Sequence, residues 1–404
     1  MTGTLQSRLK QMPVVVVTGA RQTGKTTLVR SLPKAEMRRY VSLDSLMALD
    51  RARREPELLI GDGPVTLDEV QRAPDILLAV KEQVDADRRP GRFLLTGSAN
   101  LLLMRAVGES LAGRASYLVL HPLTEREKAG RAEESCWPPL FDAQTAEGAL
   151  KGLPDHHRKD WKRGALEGGF PPASFARSDD DRKLWLDGYV DTYVKRDLRD
   201  LAQVGDLSAF VRLMKLASLR TGGLLNTAEL GRDAGLNRLT AGRWLSILET
   251  SFVVTLLPAF SESRAKRLIK APKLYAGDTG LGLFLADVED EEQLENELNV
   301  GAWLENLVLN DLLAYRETEI KKPGIFYRRT VTGEEIDFVV ERGRRLLPIE
   351  IKASTNVRVD DALLLDEWCR EFGNRSPFGV LLYDGKEPIR LTRTTIAVPL
   401  GMAI

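Results

Sequence analysis

Residues 19–26 read Gly19-Ala20-Arg21-Gln22-Thr23-Gly24-Lys25-Thr26, which fulfils the phosphate-loop pattern G-x-x-x-x-G-K-[ST] at every fixed position. The residues on either side give the pattern its meaning. Val14 to Val17 is a run of four β-branched residues that reads as a buried parallel strand. Thr27-Leu28-Val29-Arg30 continues as a helix, closed by Pro33. Strand, glycine loop and helix start together aim backbone N–H groups and the positive helix end at a polyphosphate. Gly19 and Gly24 permit the tight turn around phosphate oxygens, and Lys25 reaches the β- and γ-phosphates. The Thr26 hydroxyl takes a Mg²⁺ position. Residues Gly19 to Thr27 are therefore the expected ATP-binding loop.

Outward from this loop, short apolar runs alternate with helical patterns as far as Leu123, the sign of an α/β doubly wound parallel sheet. Strands are expected at Val14–Val17, Arg39–Ser42, Pro64–Leu67, Arg92–Leu95 and Tyr117–Leu120. The segment Pro64-Val-Thr-Leu-Asp68-Glu69 is an apolar strand ending in two carboxylates. Asp68 is suited to hold Mg²⁺ through water, and Glu69 to position and polarise the attacking water. Arg92 to Ser98 is a second buried strand that ends in hydroxyls, so Thr96 or Ser98 is a candidate γ-phosphate sensor. Arg114, in Leu111-Ala-Gly-Arg114, has two readings. It neutralises charge on the transferred phosphoryl group, or it is a surface arginine in an ordinary ion pair.

Composition narrows the class. A chain of 404 residues is too long for one core. Its 58 basic and 58 acidic residues cancel, so a nucleic-acid partner must be argued from local clusters and not from bulk charge. Cys136 and Cys369 lie far apart without metal or redox spacing, which fits a reducing compartment. No apolar run approaches the roughly 18 residues of a membrane span. Met1 to Met12 lacks the apolar core of a signal peptide. The expectation is a cytoplasmic protein without a membrane partner.

Further along, periodicity is lost between Trp137 and Gly164, and this stretch reads as a loop or insertion outside any core. Helical spacing returns over 180–205 with Trp185, Tyr189, Tyr193 and Val194 on one face. Three helices follow, at Leu207–Leu219, from Thr227 (as N-cap) to Ala234, and at Leu239–Thr250. Strands are expected at Phe252–Leu257 and Lys273–Ala276, joined by the basic connection Ser263–Lys270. Three helices, a Gly235 turn and a hairpin look like a winged helix-turn-helix, with a helical protein adaptor as the alternative. In this reading the basic connection contacts DNA phosphates; otherwise it is a solvated cationic loop. Asp287 to Glu297 is an acidic, solvated connection. Gly301–Tyr315 is then a helix, followed by strands near Ile325–Arg329, Glu335–Glu341 and Leu347–Ala353, a helix at Asp360–Phe372 and a last strand at Gly379–Tyr383.

Within this last unit, Glu350 and Lys352 stand two residues apart on one strand and project from the same face. Charges isolated on an apolar strand are costly unless they serve a purpose. Asp337, on the paired strand, and Glu305, on the preceding helix, complete a set suited to Mg²⁺ or Mn²⁺ at a phosphodiester. The three carboxylates hold the metal and Lys352 orients the attacking water. The competing reading is a cross-strand salt bridge on a solvent-facing hairpin.

Ordered matches along the chain resemble a known family. They include the phosphate loop, Asp68-Glu69-Val-Gln71-Arg72, Leu-Thr-Gly-Ser98, Leu-Ala-Gly-Arg114 and Gly168-Gly-Phe-Pro171. They continue with Tyr193-Val-Lys-Arg196-Asp197, Lys270-Ala-Pro-Lys273-Leu-Tyr275, Asp278-Thr-Gly-Leu281 and Glu335-Ile-Asp337…Ile-Glu350-Ile-Lys352. The chain resembles archaeal and bacterial AAA-type ATPases that carry a C-terminal domain of unknown function. That domain is similar to PD-(D/E)xK nucleases, near archaeal Holliday-junction resolvases, with Ile336 where the superfamily's name places proline. The resemblance implies a P-loop AAA-like core over 1–135, an insertion and helical lid over 136–205, and a winged helix-turn-helix over 206–276. A restriction-endonuclease-like α/β domain then occupies 277–404.

The implied function is ATP hydrolysis acting on branched or double-stranded DNA, with Glu69, Ser98, Arg114 and Lys352 as catalytic residues. Thr26 and Asp68 serve one Mg²⁺; Glu305, Asp337 and Glu350 serve a second metal. A homo-oligomer is expected, because an arginine finger acts on a neighbour's nucleotide. The rival reading is a regulatory or defence-system ATPase whose nuclease-like domain is inactive and binds a protein partner.

Overall fold

The computed structural model describes residues 1–33, 35–98, 111–155, 157, 160–193, 205–330 and 332–404. The chain divides into two compact units. The first comprises 1–122 with 189–205 and 246–253; the second comprises 123–188, 206–245 and 254–404.

In the first unit, β1 (Val14–Thr18), β2 (Arg39–Ser42), β3 (Val65–Asp68), β4 (Phe93–Thr96) and β5 (Ala115–Val119) form one sheet in the order β2-β3-β4-β1-β5. Every pairing is parallel. All residues of β1, β3 and β4 are buried, as the unbroken apolar runs require of strands covered on both faces. One face packs Val14, Val16, Leu67 and Leu95 against helix Ile76–Ala86; the other packs Val15, Val17 and Leu94 with Val29 and Leu5. The order matters for the site. β4 lies between β1 and β3, so Thr96, opposite Val17, sits between the phosphate loop and the carboxylates that end β3.

In the second unit, helices Leu207–Leu219, Thr227–Ala234 and the start of Arg238–Thr250 precede an antiparallel pair, β6 (Val254–Leu257) and β7 (Lys273–Ala276). Asn226, not Thr227, caps the middle helix, accepting the N–H of Glu229. The basic connection between the strands is itself helical over Arg264–Ile269. It is held by Arg267, which bonds Ser261 O and Glu341 and lies over the rings of Phe260 and Phe326. The acidic connection also contains a helix, Glu291–Asn296, capped by Asp290 and anchored by buried Leu294.

The last sheet runs β12-β13-β11-β10-β9-β8, from β8 (Gly324–Arg329), β9 (Glu335–Arg342), β10 (Arg345–Lys352), β11 (Gly379–Tyr383), β12 (Ile389–Arg390) and β13 (Thr395–Pro399). β8, β9 and β10 are antiparallel neighbours, whereas β10, β11 and β13 run parallel. Thus β11 is not the last strand; β13, buried at all five positions, flanks it.

A larger correction concerns 137–164. The stretch is not a loop outside the core: Trp137–Asp142, Ala146–Lys151 and the start of Trp161–Glu167 are helical. Trp137, Leu140 and Trp161 belong to the same buried cluster as Phe338, Ile349 and Val380. Pro138 and Pro139 occupy the first helical turn, where a missing N–H costs nothing and the fixed φ favours helix entry. Asp311 clamps the segment, accepting 2.6 Å from Trp137 Nε1 and 2.7 Å from Arg126. Truncating a buried tryptophan of this kind costs about 3–5 kcal/mol.

Two family-like motifs are likewise structural. Asp278 accepts the N–H of Gly169 at 2.6 Å and that of Leu281 at 2.9 Å, joining Gly168-Gly-Phe-Pro to Asp278-Thr-Gly-Leu. In the motif that begins at Tyr193, Val194, Lys195, Arg196 and Asp197 lie outside the described residues. No helix among the described residues is long and apolar enough to cross a membrane.

Candidate functional site

The first site grows from the C-terminal edge of the parallel sheet. β1 delivers the chain into Gly19, whose φ of 151° and whose approach to the Leu120 carbonyl leave no room for a Cβ. Gly24 (φ 93°) is left-handed and opens the helix Lys25–Arg30. Thr23 Oγ1 donates 2.9 Å to Ala20 O and stiffens the loop. Lys25 is 6% exposed, and its ammonium donates to Ala20 O at 2.6 Å and Gly19 O at 3.3 Å. Burial lowers its pKa to about 8, with Glu69 and Asp68 pulling the other way. The ammonium thus rests on neutral backbone carbonyls, partners that phosphate oxygens can replace.

Opposite the loop, Asp68 collects three hydroxyls. Thr26 Oγ1 donates 2.9 Å to Oδ2, Tyr40 shares that oxygen, and Thr96 donates to Oδ1. Burial and then Asp68 raise the Tyr40 phenol to about 12, so it remains a donor. Thr26 and Asp68 form an all-oxygen donor pair of the hard type that Mg²⁺ takes. Glu69 stands at φ 59°, a left-handed conformation that side chains seldom adopt and that concentrates at functional positions. Gln71 Nε2 donates to Glu69 and, at 2.9 Å, to Ser98 Oγ, linking the ends of β3 and β4. Arg114 is elsewhere: Nε and a terminal nitrogen donate to Asp85 at 2.5 and 2.9 Å.

The motifs therefore gather residues 19–27 with Asp68, Glu69, Thr96 and Ser98, but not Arg114. Tyr40 and Gln71 were not assigned to the site from sequence. Gln71 had a usable signal, standing two residues after Glu69 in the family-like motif. Tyr40 had none, because only the strand order brings β2 beside β3.

The second site lies on the mixed sheet. Asp337 on β9 is 8% exposed, and its Oδ2 accepts the Ile351 N–H at 2.8 Å. Burial first, then Glu305 and Glu350, push its carboxyl well above the usual range, with Lys273 opposing. Glu350 Oε1 receives Lys352 Nζ at 3.1 Å, while its buried Oε2 has no partner. An orphaned buried carboxylate oxygen beside a second carboxylate fits a hard divalent cation. Glu305, the expected helix ligand, is engaged differently. Its Oε2 accepts Tyr275 OH at 2.7 Å and Lys273 Nζ at 3.1 Å, and Lys273 also pairs with Glu335. Among the described residues no three acids, histidines or cysteines stand together closely enough to hold a metal.

Comparison with known proteins covers most of the chain. Residues 11–129 match the AAA domain family, and 158–292 and 300–403 match two domains of unknown function, DUF8612 and DUF4143. Over 401 residues the chain is 31% identical to the uncharacterized protein Rv2008c of Mycobacterium tuberculosis, covering 98% of this chain and 82% of that one. The uncharacterized protein Mb2031c of Mycobacterium bovis gives the same figures. The chain belongs to this family of AAA-type P-loop ATPases. Among solved structures this AAA-type ATPase is similar to the Walker-type ATPase paby2304 of Pyrococcus abyssi. Identity is 14%, over 70% of this chain and 94% of that one, with a TM-score of 0.41.

Proposed function

We propose that the protein hydrolyses ATP with Mg²⁺ and uses the cycle to act on DNA through its C-terminal half. The observation that carries the ATPase part is the Thr26–Asp68 contact at 2.9 Å, beside a buried Lys25. Thr26 and Asp68 would hold the Mg²⁺, which when bound neutralises charge on the phosphates. Lys25 exchanges the Gly19 and Ala20 carbonyls for phosphate oxygens. Glu69 accepts a proton from, or orients, the attacking water. Gln71 ties Glu69 to Ser98, so loss of the γ-phosphate near Ser98 is felt at Glu69. For Arg114 to act on a nucleotide it must leave Asp85, and a neighbouring protomer in a homo-oligomer is where it would be used.

The DNA part rests on the helices from Leu207 to Thr250 and the β6–β7 hairpin, taken as a winged helix-turn-helix. Asn237, Arg238 and Arg243, at the start of the third helix, are exposed and suited to meet a duplex. In the nuclease-like domain, Asp337 and Glu350 would hold Mg²⁺ or Mn²⁺, with Lys352 orienting water at a phosphodiester. A second reading is favoured by one observation: Glu305 is already satisfied by Lys273 and Tyr275. In that reading the domain is catalytically silent and the ATPase regulates a protein partner. Mixing the full chain with four-way, forked and linear DNA at low salt, with Mg²⁺ or Mn²⁺, separates the two. Binding with cleavage that Lys352→Ala abolishes supports the first. Absence of any shift or cut removes it.

A further inference from the structure

The carboxylates of the second site are met by a cation from an element that the Asp…Glu-x-Lys pattern does not include. Lys273 lies on β7, is 3% exposed, and places its ammonium between Glu305 and Glu335. Tyr275, two residues on and on the same face of the strand, donates to Glu305 as well. Asp337 lies within reach of the charges of both Glu305 and Lys273, which act on its carboxyl in opposite senses. A lysine ammonium and a divalent ion seek the same oxygens, and carboxylates as withdrawn from water as Glu305 and Glu335, 18% and 22% exposed, are stabilised by either. We infer that Lys273 is the resident cation of this carboxylate site, so a divalent ion gains Glu305 and Glu335 only when the β6–β7 hairpin withdraws Lys273. The inference rests on the reading of Asp337 and Glu350 as a divalent-metal site.

The hairpin is placed to act as such a gate. The turn after helix Leu207–Leu219 pairs along β7: Gly222 N donates to Leu274 O at 2.7 Å, Leu274 N to Gly223 O at 2.9 Å, and Leu225 N to Pro272 O at 2.8 Å. These three bonds tie the turn between the two helices to the strand that carries Lys273, the link through which a displacement of those helices would reach it. A cleft of about 630 Å³, lined by Gly222, Gly223, Lys273, Glu305, Arg329 and Glu335, gives an ion a route to the same carboxylates. Removing the ammonium leaves Arg329, at 3.6 Å, on Glu335 but takes the lysine's charge away from Glu305, whose carboxylate faces that cleft, and a divalent cation there would restore it.

The test is Mn²⁺ binding to the full chain, followed by paramagnetic resonance of the free ion and by thermal melting. The proteins compared are wild type, Lys273→Met and, as a milder change that keeps a donor on Glu305, Lys273→Gln. At least ten-fold tighter Mn²⁺ binding in a folded Lys273 variant is expected. The melting temperature of that variant should rise with Mn²⁺ more than that of wild type. Equal or weaker binding in the variant, or no binding in any of the three, overturns the inference. If Lys273→Met does not fold in chelator, Lys273→Gln carries the same expectation. DNA cleavage is scored separately. A variant that gains Mn²⁺ without cutting DNA sinks the nuclease reading alone. Wild type that cuts DNA while binding Mn²⁺ as tightly as the variants sinks only the gate.

Discussion

Two buried lysines, one in each unit, are held by opposite means. Lys25, 6% exposed, sits on backbone carbonyls, and burial lowers its pKa to about 8. Lys273, 3% exposed, is also penalised by burial, but Glu305, Glu335 and Asp337 outweigh it and raise its pKa. A cation on dipoles is poised, since each carbonyl contact is weaker than the phosphate contact that replaces it. A cation among carboxylates is locked, since leaving strands the partly buried Glu305 and Glu335 and the buried Asp337 nearby. In the proposed function, Lys25 can therefore change partners without stranding a charge, whereas Lys273 cannot leave Glu305 without doing so.

The largest effect expected from this contrast is catalytic. Glu69→Gln should retain ATP binding and lower kcat by about 10²–10⁴-fold, the usual yield of a positioned general base. A phosphate-release assay beside a nucleotide-binding titration checks it, and retained turnover would move the water-polarising role off Glu69. Next comes the locked lysine. Lys273→Met in chelator should destabilise the fold, by less than the roughly 3–5 kcal/mol of a fully buried pair, because Glu305 and Glu335 are partly exposed and Glu335 keeps Arg329, read from denaturant melts. A loss near zero would mean that Glu305 and Glu335 are solvated and that the contrast fails.

The smallest effect is a proton. Because the Lys25 pKa is lowered in the free protein, the cost of keeping it charged is present below about pH 8 and is relieved as pH rises toward 10.5. Phosphate oxygens favour the charged form, so ATP binding just above pH 8 should take up a fraction of a proton. Calorimetry in two buffers of different ionisation enthalpy measures it. Proton release, or no linkage, would show that Lys25 does not change partners.

Legibility followed the same divide. Gly19 to Thr26 and Asp68-Glu69 could be read because each is contiguous and its spacing encodes its geometry. Thr96 was a candidate, but its bond to Asp68 depends on β4 lying between β1 and β3, which no local pattern reveals. The stretch after Cys136 was misread because Pro138 and Pro139 look like breakers, although at a helix start they are favourable. The run Thr395 to Pro399 carried a strand signal of five apolar or β-branched residues, yet its place beside β11 is a long-range fact. Lys273 was visible only as part of a motif. Its partners Glu305 and Glu335 lie 32 and 62 positions away, and the fold alone brings them together.

The most direct test of the whole account is phosphate release from ATP by the purified full chain, with and without Mg²⁺, beside Lys25→Ala. Mg²⁺-dependent turnover in wild type, lost in the variant together with roughly 10²-fold in nucleotide affinity, is the predicted result. Wild type that neither binds nor hydrolyses ATP, or a Lys25→Ala protein that turns over as fast as wild type, would contradict it.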